Sequence, residues 1–314
     1  MAKSRRRLPG TATTALCLSY CVILALRCSA IYAPETPGTP DPEYCTVFNH
    51  MVKSGGTTIK EQLLGASHAE GHKPPGLCTT EKGMVDQCRE ALYDSNVIMG
   101  LGELLRRPLH KIGRDCEFFT MLRHPISRLV SAFYYCPEDH DQQIRRPEKW
   151  CGNRPYPESE TERLLDFAKA SFWAYLNYTE MLYGIYCRPD FPLCDEEYEV
   201  NQVWTFFHGI GTEEGHQAFT QIQETMRSYK AVGIFEHWEL SMQLFDATVR
   251  SSVRNWDANL SLNRGVTDVG REALLQWAYL SPEIHDALAT DILIYEFAME
   301  IFKEQTRKTL GKDW

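Results

Sequence analysis

The sequence predicts an α/β domain behind an N-terminal membrane-directed segment, and three observations predict it. Short β-prone apolar runs recur at 45–48 (CTVF), 96–99 (NVIM), 118–122 (FFTML) and 231–235 (AVGIF). Each is followed by a turn and then by apolar residues at helical spacing, the alternation that α/β domains show. Composition is ordinary for a globular chain, 43% hydrophobic and 24% charged over 314 residues, which leaves one large domain once the N-terminal segment is set aside.

Residues 1–10 form a basic tail carrying Lys3, Arg5, Arg6 and Arg7, and residues 11–27 an apolar run closed by Arg27. The run is short for a spanning helix and long for a signal core, so a signal anchor and a cleaved signal peptide are both open. Cys28-Ser29-Ala30 and Ile31-Tyr32-Ala33 resemble small-residue cleavage sites. Basic residues on the N-terminal side orient either version alike, with the domain in the lumen. The anchor is preferred, because short spans suit thinner early-secretory membranes. Residues 28–43 end in PETPGTPDPE, a proline-rich extended stem, and the domain occupies 44–314. Three of the eleven cysteines lie in or beside the apolar run, and the remaining eight are an even number suited to disulfides in an oxidising lumen. Cys187 with Cys194 is the favoured local pair and Cys136 with Cys151 the next. Asn177-Tyr-Thr and Asn259-Leu-Ser are glycosylation sequons.

Residues 44–64 read YCTVFNHMVKSGGTTIKEQLL: a strand, a Lys-Ser-Gly-Gly-Thr-Thr turn, then a helix with Ile59, Leu63 and Leu64 on one face. This is the build of an anion cradle, since unpaired N–H groups and the dipole at a helix N-terminus favour negative charge. Gly55 and Gly56 let the backbone approach closely, Lys53 brings a mobile cation, and Ser54, Thr57 and Thr58 fit as donors. The loop is not G-x-x-x-x-G-K-[ST], because its lysine precedes the glycines. Residues 68–80 are an irregular Gly/Pro/His loop, 81–93 a helix and 96–99 the second strand, after which comes GLGELLRRPLH at 100–110.

Residues 116–136 read CEFFTMLRHPISRLVSAFYYC. Arg123 ends the buried strand, Pro125 opens the next helix, and Leu129, Val130 and Phe133 form its apolar face. Arg123 and Ser131 therefore fall at the same sheet edge as the cradle, where open α/β sheets bind ligands. Residues 138–160 are a polar, proline-rich loop. Residues 161–186 are helical and aromatic (Phe167, Phe172, Trp173, Tyr175, Tyr178, Tyr183), a spacing that reads as core before it reads as a sugar platform. Helices follow at 213–229 and 236–253, either side of the strand at 231–235, then a loop at 255–267 containing Asn263-Arg264-Gly265. Ser281-Pro282-Glu283 caps a final helix to about 302, with Ile284, Leu288, Ile292 and Tyr295 on its apolar face.

KSGGTT after the first strand, with RHPISRLVSAFY later, resembles the two cofactor-binding signatures of sulfotransferases that use 3′-phosphoadenosine 5′-phosphosulfate (PAPS). The likeness is to the membrane-bound Golgi carbohydrate sulfotransferases, including the heparan sulfate O-sulfotransferase type. It implies the sulfotransferase fold, a P-loop-like central parallel sheet flanked by helices. It also implies that Lys53, Ser54, Gly55, Gly56, Thr57 and Thr58 bind the 5′-phosphosulfate and that Arg123 and Ser131 bind the 3′-phosphate. A weaker likeness covers residues 231–249, and Arg264 is a candidate for the purine side or the 3′-phosphate. Val52 departs from the pattern, since many members have proline before the lysine; that changes loop stiffness rather than chemistry.

The resemblance implies sulfuryl transfer to a carbohydrate hydroxyl in the Golgi lumen by a single-pass type II membrane protein. Such transfer needs a cation where charge grows on the leaving oxygen, fixed donors for the phosphates and a base for the acceptor hydroxyl. Lys53 fits the cation role, and no metal is required. Family members take the base from a His or Glu after the second strand, which here selects Glu103, with His50 and His110 as alternatives. Arg106 and Arg107 are a solvated basic turn or contacts to an anionic acceptor. A net charge of -9 argues against a nucleic-acid partner and tilts the acceptor toward a neutral or lightly charged glycan or polysaccharide. Tyrosylprotein sulfotransfer and an inactive, glycan-binding relative are the competing readings; a nucleotide-dependent kinase is disfavoured by the missing phosphate-loop motif and the lumenal address. The oligomeric state is left open.

Overall fold

The computed structural model describes residues 45–69, 76–78, 85–100, 102–134, 159–169, 178–183, 213–250, 256–260 and 269–312. The basic tail, the anchor at 11–27 and the stem lie outside these residues. Among the described residues no helix is long and apolar enough to cross a membrane.

The described chain is an α/β domain on a five-stranded, wholly parallel sheet of order β2-β3-β1-β4-β5, formed by β1 (Thr46–Asn49), β2 (Gly76–Cys78), β3 (Val97–Gly100), β4 (Glu117–Leu122) and β5 (Ala231–Ile234). Strands covered on both faces read as near-continuous apolar runs, which is why TVFN, VIMG and AVGI are buried throughout. Phe48 of β1 lies level with Phe119 of β4, their rings 4.9 Å apart. After β1 the chain builds β2 and β3 on one side and then crosses to β4 and β5 on the other. The strand order therefore reverses between β1 and β4, the position where ligands enter sheets of this kind.

The early helices are α1 (Gly56–Ala69), α2 (Val85–Asp94), α3 (Gly102–Lys111), α4 (Pro125–Phe133), α5 (Glu160–Lys169), α6 (Tyr178–Tyr183) and α7 (Glu213–Arg227). A 3-10 turn (Phe235–His237) leads from β5 into α8 (Trp238–Thr248), followed by α9 (Val269–Leu280), α10 (Pro282–Ala287) and α11 (Ala289–Leu310). The main core joins the sheet to residues of α1, α6, α8 and α11, among them Ile59, Tyr178, Phe245 and Phe302. A second core binds α4, α5, α9 and α10 through Ile126, Leu129, Leu164, Leu274 and Ile284.

Three sequence expectations are corrected. The 68–80 loop contains β2, a three-residue edge strand of Gly-Leu-Cys too short to show alternation. The final helix is two helices: Ser281 Oγ caps the first by accepting from Ile284 N at 3.3 Å, and the second runs on to Leu310, stopped by Gly311 in the left-handed conformation. α9 has no counterpart in the sequence assignment. Among the described residues two disulfides are present, Cys45–Cys116 across the entries of β1 and β4 and Cys78–Cys88 from β2 to α2. The cysteines of both expected pairs lie outside the described residues.

Candidate anion-binding site

The loop after β1 is shaped by two residues with positive φ, Lys53 at 66° and Gly55 at 82°. A side-chain-bearing residue in the left-handed region costs about 1–2 kcal/mol, so Lys53 is held there by its surroundings. Each glycine is required for a separate reason. A Cβ on Gly55 would stand 2.7 Å from the Trp238 ring and 3.0 Å from Phe235, and one on Gly56 would stand 1.9 Å from the His50 imidazole. The loop is thus pressed between an aromatic pair from the β5 end and a histidine from its own strand. Its floor is polar but fully used: Asn49 Nδ2 donates to the Tyr229 hydroxyl at 2.8 Å, and Thr120 Oγ1 donates to the Asn49 carbonyl at 2.8 Å.

The segment after β4 interlocks with this loop. Arg123 Nη1 donates to the Lys53 carbonyl at 3.3 Å, while its guanidinium lies 4.7 Å from the Phe235 ring centroid. Arg128, one turn into α4, is wholly buried and donates from Nε to the Val52 carbonyl at 3.0 Å. Two consecutive carbonyls of the first loop are therefore gripped by two arginines of the second segment. Behind Arg128 stand Asp291 of α11, 3.3 Å from Nη1, and the Tyr178 ring, 4.2 Å beneath the guanidinium. The Tyr178 hydroxyl in turn bonds both the N–H and the carbonyl of Arg123.

Buried polar atoms in folded proteins are nearly always hydrogen-bonded. Among the described residues five buried side-chain atoms lack a hydrogen bond of ordinary geometry, and two of them, Ser54 Oγ and Arg123 Nε, belong to the loop and to the arginine that grips it, the Ser54 hydroxyl lying beside that of Tyr178. Together with the first N–H groups of α1, donors of this kind are what an oxyanion needs at a helix N-terminus.

Burial, more than neighbouring charge, sets how the groups around the loop titrate. His50 is held down to about 4, by burial first and then by Lys60 and Lys53. His124, which caps α4, is held down to about 4 by burial and by His285. Burial also eases the proton on Arg123, with Arg271 of α9 adding to that effect and Glu236 opposing it. Glu236 is placed by two further bonds, accepting from His124 N and from the Tyr295 hydroxyl, each at 3.0 Å. Asp291 is pushed up to about 6 by burial, against the pull of Arg128 and the Tyr178 N–H.

Lys53, Ser54, Gly55, Gly56, Thr57, Thr58, His50 and Arg123 come together at this loop. Ser131 is half-buried on α4 one turn beyond Ser127, whose hydroxyl is 2.8 Å from that of Tyr279. Glu103 sits in the first turn of α3, forked by Arg106 at 2.8 Å and 2.9 Å, and Arg106 itself lies 4.0 Å over the Phe118 ring. Its carboxylate is thereby engaged in an ion pair, and Arg106 lies in a helix rather than a turn, its side chain still 40% exposed. His110 is exposed in the last turn of α3, about 12 Å along the helix from the end that meets the sheet edge. Arg264 and the side chain of Arg107 lie outside the described residues. Arg128, Asp291, Phe235 and Trp238 were not singled out from sequence, although Arg128 falls within the second signature and Phe235 and Trp238 within the weaker third likeness. Among the described residues no three His, Cys, Asp or Glu side chains gather as a metal group would require.

No family model matches the chain, and no curated protein matches it.

Proposed function

We propose that this chain is a PAPS-dependent sulfotransferase of the membrane-bound carbohydrate type, acting on a sugar hydroxyl in the Golgi lumen. The observation that carries the reading is the interlock of the Lys53 loop with the Arg123 segment at the point where the strand order reverses, surrounded by buried donors lacking partners. A ligand with a phosphosulfate at one end and a 3′-phosphate at the other suits two adjoining cationic segments. PAPS, when bound, supplies the activated sulfuryl group. The loop amides, Ser54, Thr57 and Thr58 hold its 5′ end, and Arg123 and Ser131 its 3′-phosphate. Lys53 neutralises charge on the oxygen that leaves as the acceptor oxygen bonds to sulfur.

His50 is the proton acceptor we favour over Glu103, because its ring lies against Gly56 inside the loop whereas Glu103 is forked by Arg106. Bound anions beside His50 would offset Lys53 and Lys60 and raise its basicity toward the working pH. Two disulfides and the exposed sequon asparagine Asn259 suit a secretory compartment.

The test is titration with adenosine 3′,5′-bisphosphate followed by radiolabelled sulfate transfer to glycan and peptide panels. Binding with transfer to glycans supports the reading. Transfer to tyrosine peptides alone replaces the acceptor, binding without transfer makes the chain a non-catalytic relative, and absence of binding removes the proposal.

A further inference from the structure

We propose that Arg128 is a positioning residue for the cradle: by holding the Val52 carbonyl, it sets the left-handed conformation of Lys53 and so the aim of the loop. The proposal rests on the reading of that loop as the cofactor cradle. An arginine wholly buried on a short helix is a poor choice for packing alone, since desolvating its charge is costly and an apolar side chain fills the same space more cheaply. Its contacts state what it is for. Nε reaches the Val52 carbonyl at 3.0 Å, one peptide before Lys53, whose φ is 66°. Nη1 is held by Asp291 at 3.3 Å, and Asp291 is itself fixed by the Tyr178 N–H at 2.8 Å. The guanidinium rests on the Tyr178 ring, whose hydroxyl binds the backbone of Arg123.

One buried guanidinium thus sits between both segments of the site, fastened to a helix more than 160 residues downstream. Its planar fork is what the arrangement uses. A lysine at 128 keeps the charge beside Asp291 and cannot span Val52 and Asp291 together with fixed geometry. Arg123 clasps the next carbonyl, that of Lys53, and keeps a buried Nε without a hydrogen-bond partner. The division of labour follows: Arg123 holds the loop and has Nε to spare for a ligand, whereas Arg128 divides its donors between the loop and Asp291.

Amide hydrogen exchange on the full-length chain tests this. Wild type, Arg128→Lys, Asp291→Asn and the double variant Arg128→Lys/Lys53→Gly are compared, with adenosine 3′,5′-bisphosphate titration run alongside. Arg128→Lys is expected to speed exchange at residues 51–58 at least tenfold while β5 and α8 keep wild-type protection, and to weaken nucleotide binding by a similar factor. Asp291→Asn shows the same pattern more weakly. Lys53→Gly in the Arg128→Lys background recovers part of the slow exchange, because glycine adopts a positive φ without the Cβ penalty although it adds backbone freedom, a partial rescue that a merely structural role would not give. Uniform loosening, an unchanged loop, or no rescue by glycine overturns the proposal. Should Arg128→Lys fail to fold, Asp291→Asn decides: a loop as protected as wild type overturns it. Wild type that fails to bind the nucleotide, with loop exchange still dependent on Arg128, removes the cofactor reading and leaves the positioning role standing.

Discussion

Arg123 donates through Nη1 to the main-chain carbonyl of Lys53 at 3.3 Å, so the end of β4 is fastened directly to the loop that follows β1. A side chain that braces a loop and also offers an unpartnered buried Nε has two roles to lose. Arg123→Ala is expected to weaken adenosine 3′,5′-bisphosphate binding about 10–100-fold, the loss of one or two charge-assisted hydrogen bonds. Arg123→Lys recovers only part of it, because lysine lacks the fork. Calorimetric titration reads both, and unchanged affinity in the alanine variant would remove Arg123 from the site.

Lys53→Ala separates chemistry from architecture. Both residues carry a Cβ, so the cost of φ 66° is alike for each and the unfolding midpoint should stay within about 0.5 kcal/mol of wild type. Turnover in the sulfate-transfer assay should fall about 10²–10³-fold, the usual loss when one fixed charge is withdrawn from a developing anion. Near-normal rates would exclude Lys53 from the mechanism.

Much of this site was legible in the sequence because its signals are local. The Lys-Ser-Gly-Gly-Thr-Thr turn between an apolar run and a helix announces itself, as does an arginine at a strand end ahead of a helix-opening proline. The rest depends on distant residues. Arg128 reads as an ordinary basic residue until Asp291, 163 positions away, is brought beside it. The Phe235–Trp238 wall becomes part of the site only when β5 joins the sheet. β2 carries no β-branched residue, and α9 buries chiefly Leu274 and Ala278, so neither had a strong periodic signal. The Glu103–Arg106 pair, by contrast, is itself a local signal, since an acidic residue three positions before an arginine marks a helical ion pair.

The glycines predict a graded series. Gly65 lies in α1 with nothing within 4 Å of a new Cβ, so Gly65→Ala should stabilise by about 0.5–1 kcal/mol through helix propensity. Gly56→Ala has the same propensity gain but drives a methyl into the His50 ring, and should lose both stability and transfer activity. Gly55→Ala adds left-handed strain of about 1–2 kcal/mol to a clash with Trp238, and should be the most destabilised of the three. Urea unfolding of the set checks the order; Gly55→Ala at wild-type stability would mean that the loop is not pressed against the aromatic pair.

The buried titrating groups predict an opposed pH dependence. His50 and His124 bind a proton near 4 in the fold and near 6.5 when unfolded, so the unfolded chain holds more protons between those values. Their contribution is complete above pH 6.5 and is lost as pH falls toward 4, up to ~3 kcal/mol for His50 and less for His124, which solvent partly screens. Asp291 runs the other way. It binds its proton near 6 in the fold against 3.8 unfolded, so the folded chain gains stability as pH falls through 6, by about 3 kcal/mol in full. The two histidines outweigh the one aspartate, and wild type should weaken toward pH 4. Asp291→Asn removes the compensating gain, so its fall from pH 6.5 to 4 should be steeper by about 2 kcal/mol, the part of the full gain inside that window, whatever the offset at pH 7. Urea midpoints at pH 7, 6, 5 and 4.5 under non-reducing conditions read the slope. Parallel wild-type and variant curves would show that Asp291 does not take up its proton within the fold over this range.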